Sequence, residues 1–110
     1  MRKIIAYKHY FKDFVRTLSK EEQNKIRRVL DLFKTEDRIP SHFIKYIRDG
    51  VHELRITSMS NEFRIFFIYD GNTLVILFNA IKKKTQKLPN SEIEKALRLK
   101  EEYYGTKRNQ

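Results

Sequence analysis

The chain has 110 residues, of which 24 are Lys or Arg and 14 are Asp or Glu, so its formal net charge at pH 7 is +10. This length predicts one domain over residues 1–110 with room for one modest core. The positive excess predicts a polyanionic partner, which is a nucleic acid, an anionic membrane or an acidic protein. A basic protein that is merely soluble is the plainer alternative, because net charge does not determine the fold.

The composition also argues against several classes of protein. The absence of cysteine removes disulfides, thiol nucleophiles and cysteine metal sites, and it is consistent with a reducing cytoplasm. The N-terminal residues lack the apolar core of a signal peptide, and no run approaches the ~20 apolar residues of a membrane-spanning helix. We therefore expect a cytoplasmic protein with no membrane partner.

The first half of the chain is predicted to contain one strand and two helices. An apolar centre predicts a strand over residues 2–8, and apolar residues then recur at helical spacing over residues 10–18. Ser19 and Glu22 form the capping-box pattern that begins a second helix. Ile39-Pro40 ends that helical pattern, and residues 42–47 are interpreted as a short helical turn.

The second half is predicted to form three consecutive strands and a final helix. Residues 51–57 alternate in polarity, residues 63–69 are aromatic and β-branched, and residues 73–81 are apolar on both faces. Asp70-Gly71-Asn72 is a hairpin turn between the last two strands. Pro89 suits the first turn of a helix, and residues 106–110 are interpreted as a frayed polar tail.

These elements predict the α+β fold class with the order β-α-α-β-β-β-α. The last three strands form an antiparallel meander, and the first strand joins its edge or inserts beside it. Two long helices then cover one face of a largely antiparallel sheet, and the C-terminal helix covers part of the other face.

Two arginines are the strongest candidates for a functional site. If the turn of the first hairpin centres near residues 59–60, Arg55 lies directly opposite Arg64. Like charges in this position destabilise a sheet, and a bound phosphate would account for both of them. Alternatively Glu53 or Glu62 neutralises the arginines, or the register differs. We interpret Glu53 as the salt-bridge partner of Arg55 rather than as a general base.

Further cations and aromatic residues are candidates for the same surface. The third strand of the meander ends beside the arginines in a lysine cluster, Lys82, Lys83, Lys84 and Lys87. Taken alone, the cluster is weakly specific and fits a solvated basic loop. Together with Arg55 and Arg64 on adjacent strands, it predicts a concave basic surface. Tyr103 and Tyr104, at the end of the final helix, can provide stacking or a proton, or can pack in the core.

The histidines give little support for catalysis or metal binding. His52 is predicted on the face opposite Arg55, where it is packed or partly buried, and His9 and His42 lie in or near helical segments. No pair of histidines has metal-ligand spacing, so we expect neither a metal ion nor a cofactor. The sequence also contains no Gly-rich phosphate loop and no serine elbow.

Three segments together carry a resemblance to a known family. Residues 83–96 contain KKTQKLP followed by Glu92-Ile93 and Ala96, residues 50–55 read GVHELR, and residues 63–67 read FRIFF. These segments resemble motifs of the RelE/ParE toxin superfamily, in its HigB-like branch, which is often labelled phage-derived. The chain departs from the pattern at Leu88, where the family often has Thr, and it lacks the C-terminal histidine or strand-end tyrosine of some relatives.

The resemblance implies a type II toxin that cleaves mRNA in the ribosomal A site without a metal ion. By this resemblance Arg55 and Arg64 would hold the scissile phosphate, and Lys82, Lys84 and Lys87 would bind the backbone of mRNA or ribosomal RNA. From the residues themselves, a lysine crowded by its neighbours can act as acid or base, and Lys84 is our choice. Lys83, Tyr103 and Tyr104 complete the residues that we expect to bind RNA or the ribosome.

The resemblance also implies partners and leaves two other functions open. The expected partners are a cognate antitoxin, which is a small helix-turn-helix protein, and the ribosome with its mRNA. Operator DNA would be bound only through the antitoxin complex. The alternatives are a ParE-like gyrase poison and a non-catalytic RNA-binding module.

Overall fold

The computed structural model describes residues 1–83 and 89–108. Within these ranges, the order along the chain is one strand, two helices, four strands and one helix. The elements are β1 (Lys3–Ala6), α1 (Tyr10–Arg16), α2 (Lys20–Thr35), β2 (Ile44–Arg48), β3 (Val51–Ser58), β4 (Asn61–Asp70), β5 (Leu74–Lys83) and α3 (Asn90–Arg108). A 3-10 helix, Ser41–Phe43, precedes β2.

The strands form one mixed sheet in the order β1-β5-β4-β3-β2. Strands β2 to β5 are joined in sequence and pair antiparallel, as an uninterrupted meander requires. Strand β1 pairs parallel with β5, with Lys3 opposite Leu74 and Ala6 opposite Leu77. The predicted meander is confirmed, and β1 lies on its edge rather than inside it.

The long helix α2 begins where the sequence predicted. The Ser19 side chain accepts a hydrogen bond from the Glu22 backbone N–H, and the Glu22 carboxylate accepts one from the Ser19 N–H. These bonds satisfy two backbone donors that a helix start otherwise leaves unpaired. They also lower the pKa of Glu22, chiefly through the bond from the Ser19 backbone.

The sheet separates two apolar clusters. Helix α2 packs Ile26, Val29 and Phe33 against one face, and the Phe33 ring meets the Phe67 ring edge-on at 5.3 Å between centroids. Helix α3 packs Ala96 and Leu99 against the other face. The central strands are therefore apolar on both faces, which is why residues 73–81 lack the alternation of a half-exposed strand.

Three details of the predicted fold are wrong. The first helix has only seven residues, so one short helix and one long helix lie between β1 and β2. Residues 44–48 form a strand, β2, where a helical turn was expected. Helix α3 continues to Arg108, through most of the predicted polar tail.

The sequence does not predict strand β2, because its partly buried residues have the spacing that is typical of a helix. Its two partly buried residues, Ile44 and Ile47, are three apart, and a register shift between Tyr46 and Arg48 breaks the alternation of a regular strand. The signal that identifies it is Asp49-Gly50, where both residues have positive φ, of 51° and 84°. An Asp-Gly pair in this conformation is typical of a two-residue hairpin turn.

No helix in residues 1–83 or 89–108 is both long enough and apolar enough to cross a bilayer.

Candidate functional site

The β3–β4 hairpin brings the two candidate arginines together. Strand β3 ends at Ser58 and β4 begins at Asn61, so residues 59–60 form the turn, and Met59 has a positive φ of 57°. The register places Arg55 directly opposite Arg64. Both the predicted turn and the predicted pairing are confirmed.

A buried carboxylate lies between the two arginines. Glu53 Oε1 accepts a hydrogen bond from Arg55 Nε at 2.8 Å and lies 3.5 Å from Arg64 Nε. The Glu53 side chain is 1% exposed, that of Arg64 is 6% exposed and that of Arg55 is 36% exposed. The predicted salt bridge between Glu53 and Arg55 is confirmed, and Glu53 also serves Arg64.

The carboxylates leave part of the guanidinium hydrogen-bonding capacity unused. Arg64 Nη2 donates to Glu62 Oε2 at 3.2 Å, whereas Arg55 uses only Nε, and its terminal nitrogens have no partner among residues 1–83 and 89–108. Within the same residues, Glu53 Oε2 and Arg64 Nε are buried without a hydrogen bond. A guanidinium has five N–H donors, so the pair retains donors for an anionic ligand.

The arginines line an open cavity of about 350 Å³ at the edge of the sheet. Strand β2 pairs with β3 only as far as Leu54, so the 3-10 helix rather than a strand lies beside the end of β3. The cavity is lined by Lys25, His42, Phe43, Arg55, Thr57, Glu62 and Arg64.

Sequence reasoning did not find Lys25 and His42 as members of this site. The helical pattern places Lys25 on α2, but only the packing of α2 on the sheet brings that residue to the β3 edge. His42 reaches the cavity because residues 41–43 form a single helical turn immediately before β2. No spacing rule in the sequence connects these two residues with Arg55.

The described lysines of the cluster lie on opposite faces of the sheet. Strand β5 extends to Lys83, two residues beyond its predicted end. Lys83 pairs with Glu62 and so shares the face of Arg64, whereas Lys82 pairs with Phe63 on the α2 face. Lys82 Nζ lies 3.5 Å from Glu22 Oε2. Lys84 and Lys87 lie outside the described residues.

The two tyrosines do not join the arginines. The Tyr103 hydroxyl donates to Asp70 Oδ2 at 2.6 Å, and Asp70 is six residues along β4 from Arg64, or about 20 Å at the usual rise of a strand. Burial, followed by the bond to Asp70, raises the pKa of Tyr103 to about 12. Tyr104 is partly buried beside it and packs against the α3-side cluster. The structure therefore places both tyrosines at the opposite end of the sheet.

His52 is packed, as the sequence predicted. Its ring stacks on Phe67 at 5.4 Å between centroids and meets Tyr46 edge-on. Burial lowers the pKa of His52. In the two described ranges, no three His, Asp or Glu side chains are close enough together to hold a metal ion.

Both the fold and the sequence resemble those of known proteins. A chain of the crystal structure of the archaeal RelE-RelB complex from Pyrococcus horikoshii OT3 superimposes with a TM-score of 0.53 and 9% identity. The alignment covers 78% of this chain and 98% of that one, so the fold is RelE-like. The family model described as phage derived protein Gp49-like (DUF891) matches residues 13–101. The chain therefore belongs to the phage-derived Gp49-like family. No curated protein matches the sequence significantly.

Proposed function

We propose that this protein is the toxin of a type II toxin-antitoxin system and inhibits translation by cleaving mRNA on the ribosome. The observation that carries the proposal is the pairing of Arg55 with Arg64 on adjacent strands beside an open cavity. The RelE-like fold and the Gp49-like family support the same conclusion. The HigB-like branch is the part of the superfamily to which we assign the protein.

The proposed reaction is an in-line attack of a ribose 2′-OH on the adjacent phosphate. The bond from the 2′-oxygen to phosphorus forms as the bond to the 5′-oxygen breaks, which leaves a 2′,3′-cyclic phosphate and a 5′-OH. Arg55 and Arg64 stabilise the negative charge that develops on the phosphorane. Bidentate contacts with the phosphate would also hold the RNA in the geometry that this attack requires.

Glu53 has a positioning role in this proposal. By accepting from Arg55 Nε and lying near Arg64 Nε, it fixes the orientation of both guanidinium groups before RNA binds. A fixed charge stabilises a transition state without the cost of reorganisation during the reaction. Its engagement with both arginines makes it a poor candidate for the general base.

The lysines are proposed to bind the RNA backbone or ribosomal RNA. Of the two described lysines of the cluster, Lys83 lies on the arginine face, whereas Lys82 approaches from the α2 face. Lys84 and Lys87 are retained from the sequence, with Lys84 as a candidate for proton transfer. Tyr103 and Tyr104 hold the end of α3, far from the arginines. Their proposed contact with RNA or the ribosome would therefore be separate from the phosphate site.

The proposed partners are an antitoxin, the ribosome and its mRNA in the cytoplasm. The similar solved structure is a complex of RelE with RelB, which supports a partner that binds the toxin. We propose that the antitoxin is a helix-turn-helix protein and that the toxin reaches operator DNA only through it.

The experiment is induction of the toxin in cells, followed by primer extension on their mRNA. We expect new cleavage ends on translated mRNA with the native chain and at least a hundredfold fewer with Arg55→Ala, since one such contact contributes about 3 kcal/mol. Arg55→Lys tests whether bidentate geometry matters in addition to charge. Arg16→Ala is the matched control, because Arg16 is 77% exposed on α1 and pairs only with Asp13 within the described chain.

The alternatives give different results in the same cells. DNA breaks without mRNA cleavage would identify a gyrase poison. Binding of RNA that weakens with salt, with intact mRNA, would identify an RNA-binding module. Undiminished cleavage by Arg55→Ala would contradict the role given to the arginine pair.

A further inference from the structure

The cavity beside the arginines contains a histidine that the proposed mechanism has not yet used. His42 lines this cavity together with Arg55 and Arg64. It is exposed, it lies on the 3-10 helix, and its ring packs against Phe43 with 4.4 Å between the ring centroids. The 3-10 helix is fixed between Pro40 and β2, where the Phe43 N–H donates to the Pro40 carbonyl at 3.0 Å. The imidazole is therefore held on a short, anchored turn at the mouth of the cavity.

The other polar groups of the cavity are poorly suited to accept a proton. Guanidinium and ammonium groups have no acceptor atom, which excludes Arg55, Arg64 and Lys25 in their charged forms. Glu62 is already bound to Arg64 at 3.2 Å. Thr57 is a hydroxyl, and a hydroxyl is a weak base. A neutral imidazole, in contrast, has one ring nitrogen that can accept a proton.

The charges that face the cavity suit an anionic ligand. Lys25 from α2 and Arg55 and Arg64 from the sheet are cations, and Glu62 is the one carboxylate among the described lining residues. This excess of positive charge attracts the phosphate, so the ribose next to that phosphate comes within reach of the cavity mouth.

We infer that His42 accepts the 2′-OH proton of the bound RNA, an inference that rests on the proposed function. In this step the proton passes to an imidazole nitrogen as the 2′-oxygen bonds to phosphorus. The 5′-oxygen leaves as its bond to phosphorus breaks and takes a proton from water. His42 therefore supplies the acceptor that the arginine pair lacks.

The test is single-turnover cleavage of mRNA on purified, programmed ribosomes between pH 5.5 and 8.5. We expect His42→Gln and His42→Phe each to lower the rate by about 100-fold or more, as for the loss of a general base. The pH dependence of the native rate should flatten in both variants, because each removes the proposed proton acceptor. His9→Gln is the matched control, because His9 is an exposed histidine on the N-terminal side of α1 that contacts Asp13 and does not line the cavity.

The variants separate this inference from its rivals. A native rate in His42→Phe with a reduced rate in His42→Gln would show that the ring only stacks on RNA, and it would overturn the inference. So would native rates and an unchanged pH profile in both variants. Arg55→Ala is measured in parallel. If it loses activity while both His42 variants keep it, only the role of His42 fails. If the native protein cleaves no mRNA, the proposed function fails as well.

Discussion

The two ends of strand β4 carry charged clusters of opposite character. At its start, Arg64 and the neighbouring Arg55 share the buried carboxylate of Glu53, and some of their N–H donors have no partner among the described residues. At its end, Asp70 accepts bonds from Tyr103 at 2.6 Å and from Lys107 at 2.7 Å. The Asp70 cluster joins α3 to the sheet, whereas the arginine cluster borders an open cavity.

This contrast shows that ionic contacts alone do not mark a functional site. The Asp70 carboxylate is 13% exposed and is engaged by a phenol and an ammonium group. Its bonds to Lys107 and Tyr103 lower its pKa, as expected for a charge that the fold itself satisfies. In the arginine cluster, some guanidinium N–H groups have no partner among the described residues. A phosphate could accept hydrogen bonds from these groups.

The largest expected effect is on activity and should distinguish the two ends. Arg64→Ala should reduce mRNA cleavage at least a hundredfold, because it removes a guanidinium from the proposed phosphate site. Asp70→Asn should leave cleavage within about twofold of the native level, because Asp70 lies about 20 Å along β4 from Arg64. Primer extension on mRNA from induced cells measures both. Equal losses in the two variants would contradict the assignment of function to one end.

Glu53→Gln should lower the free energy of unfolding by about 3 kcal/mol. The substitution leaves the nearly buried Arg64 without its central counter-charge, and unpaired buried charges are costly. Urea unfolding at pH 7 measures the change. Glu62→Gln is the matched control, since that carboxylate is 46% exposed and should contribute less than about 1 kcal/mol. Equal losses would mean that Glu53 is not the central counter-charge.

Tyr103→Phe should cost about 1 kcal/mol at pH 7, the usual contribution of one hydrogen bond, and leave activity unchanged. The raised pKa of Tyr103, about 12, also predicts an alkaline effect. The folded state binds this proton more tightly than the unfolded chain, so its stability contribution is complete below about pH 10 and is lost as the pH rises toward 12. Urea unfolding at pH 9 and pH 11 should show a smaller decline in the variant than in the native protein.

The smallest expected effect is on the pH dependence of stability and comes from His52, which pairs with Phe67 between the two ends of β4. Because burial lowers its pKa, the unfolded chain takes up a proton at a higher pH than the folded protein does. Stability should therefore fall as the pH decreases below about 6.5, the ordinary pKa of histidine. His52→Gln should reduce this loss between pH 7 and pH 5.5 in urea unfolding. An identical loss in both proteins would exclude His52 as its source.

Local sequence signals predicted the arginine pair because that geometry depends on one short turn. Once residues 59–60 form the turn of the hairpin, the register of Arg55 and Arg64 follows from counting. The capping box at Ser19 is equally local. The rest of the cavity depends on packing over long sequence separations, so neither Lys25 nor His42 could be assigned to it from spacing alone.

The differences between the expected and the observed positions of the other candidate residues have similarly specific causes. Lys82 and Lys83 diverge because β5 continues past its predicted end, and successive side chains of a strand point to opposite faces. The sequence places Tyr103 at the end of the final helix but does not show which end of the sheet that helix reaches. Helix α3 in fact begins beside Asn79, whose amide donates to the Glu92 carbonyl at 3.0 Å, and runs to Asp70 at the other end of β4.

The parallel pairing of β1 has a consequence for biosynthesis. Lys3 pairs with Leu74, so this edge of the sheet joins segments 71 residues apart, as 74 minus 3 gives. Closing so long a loop costs entropy before any contact repays it, and the contacts become possible only after residue 77 leaves the ribosomal exit tunnel. A nascent chain therefore carries an incomplete sheet until residues 74–77 are available to pair with β1.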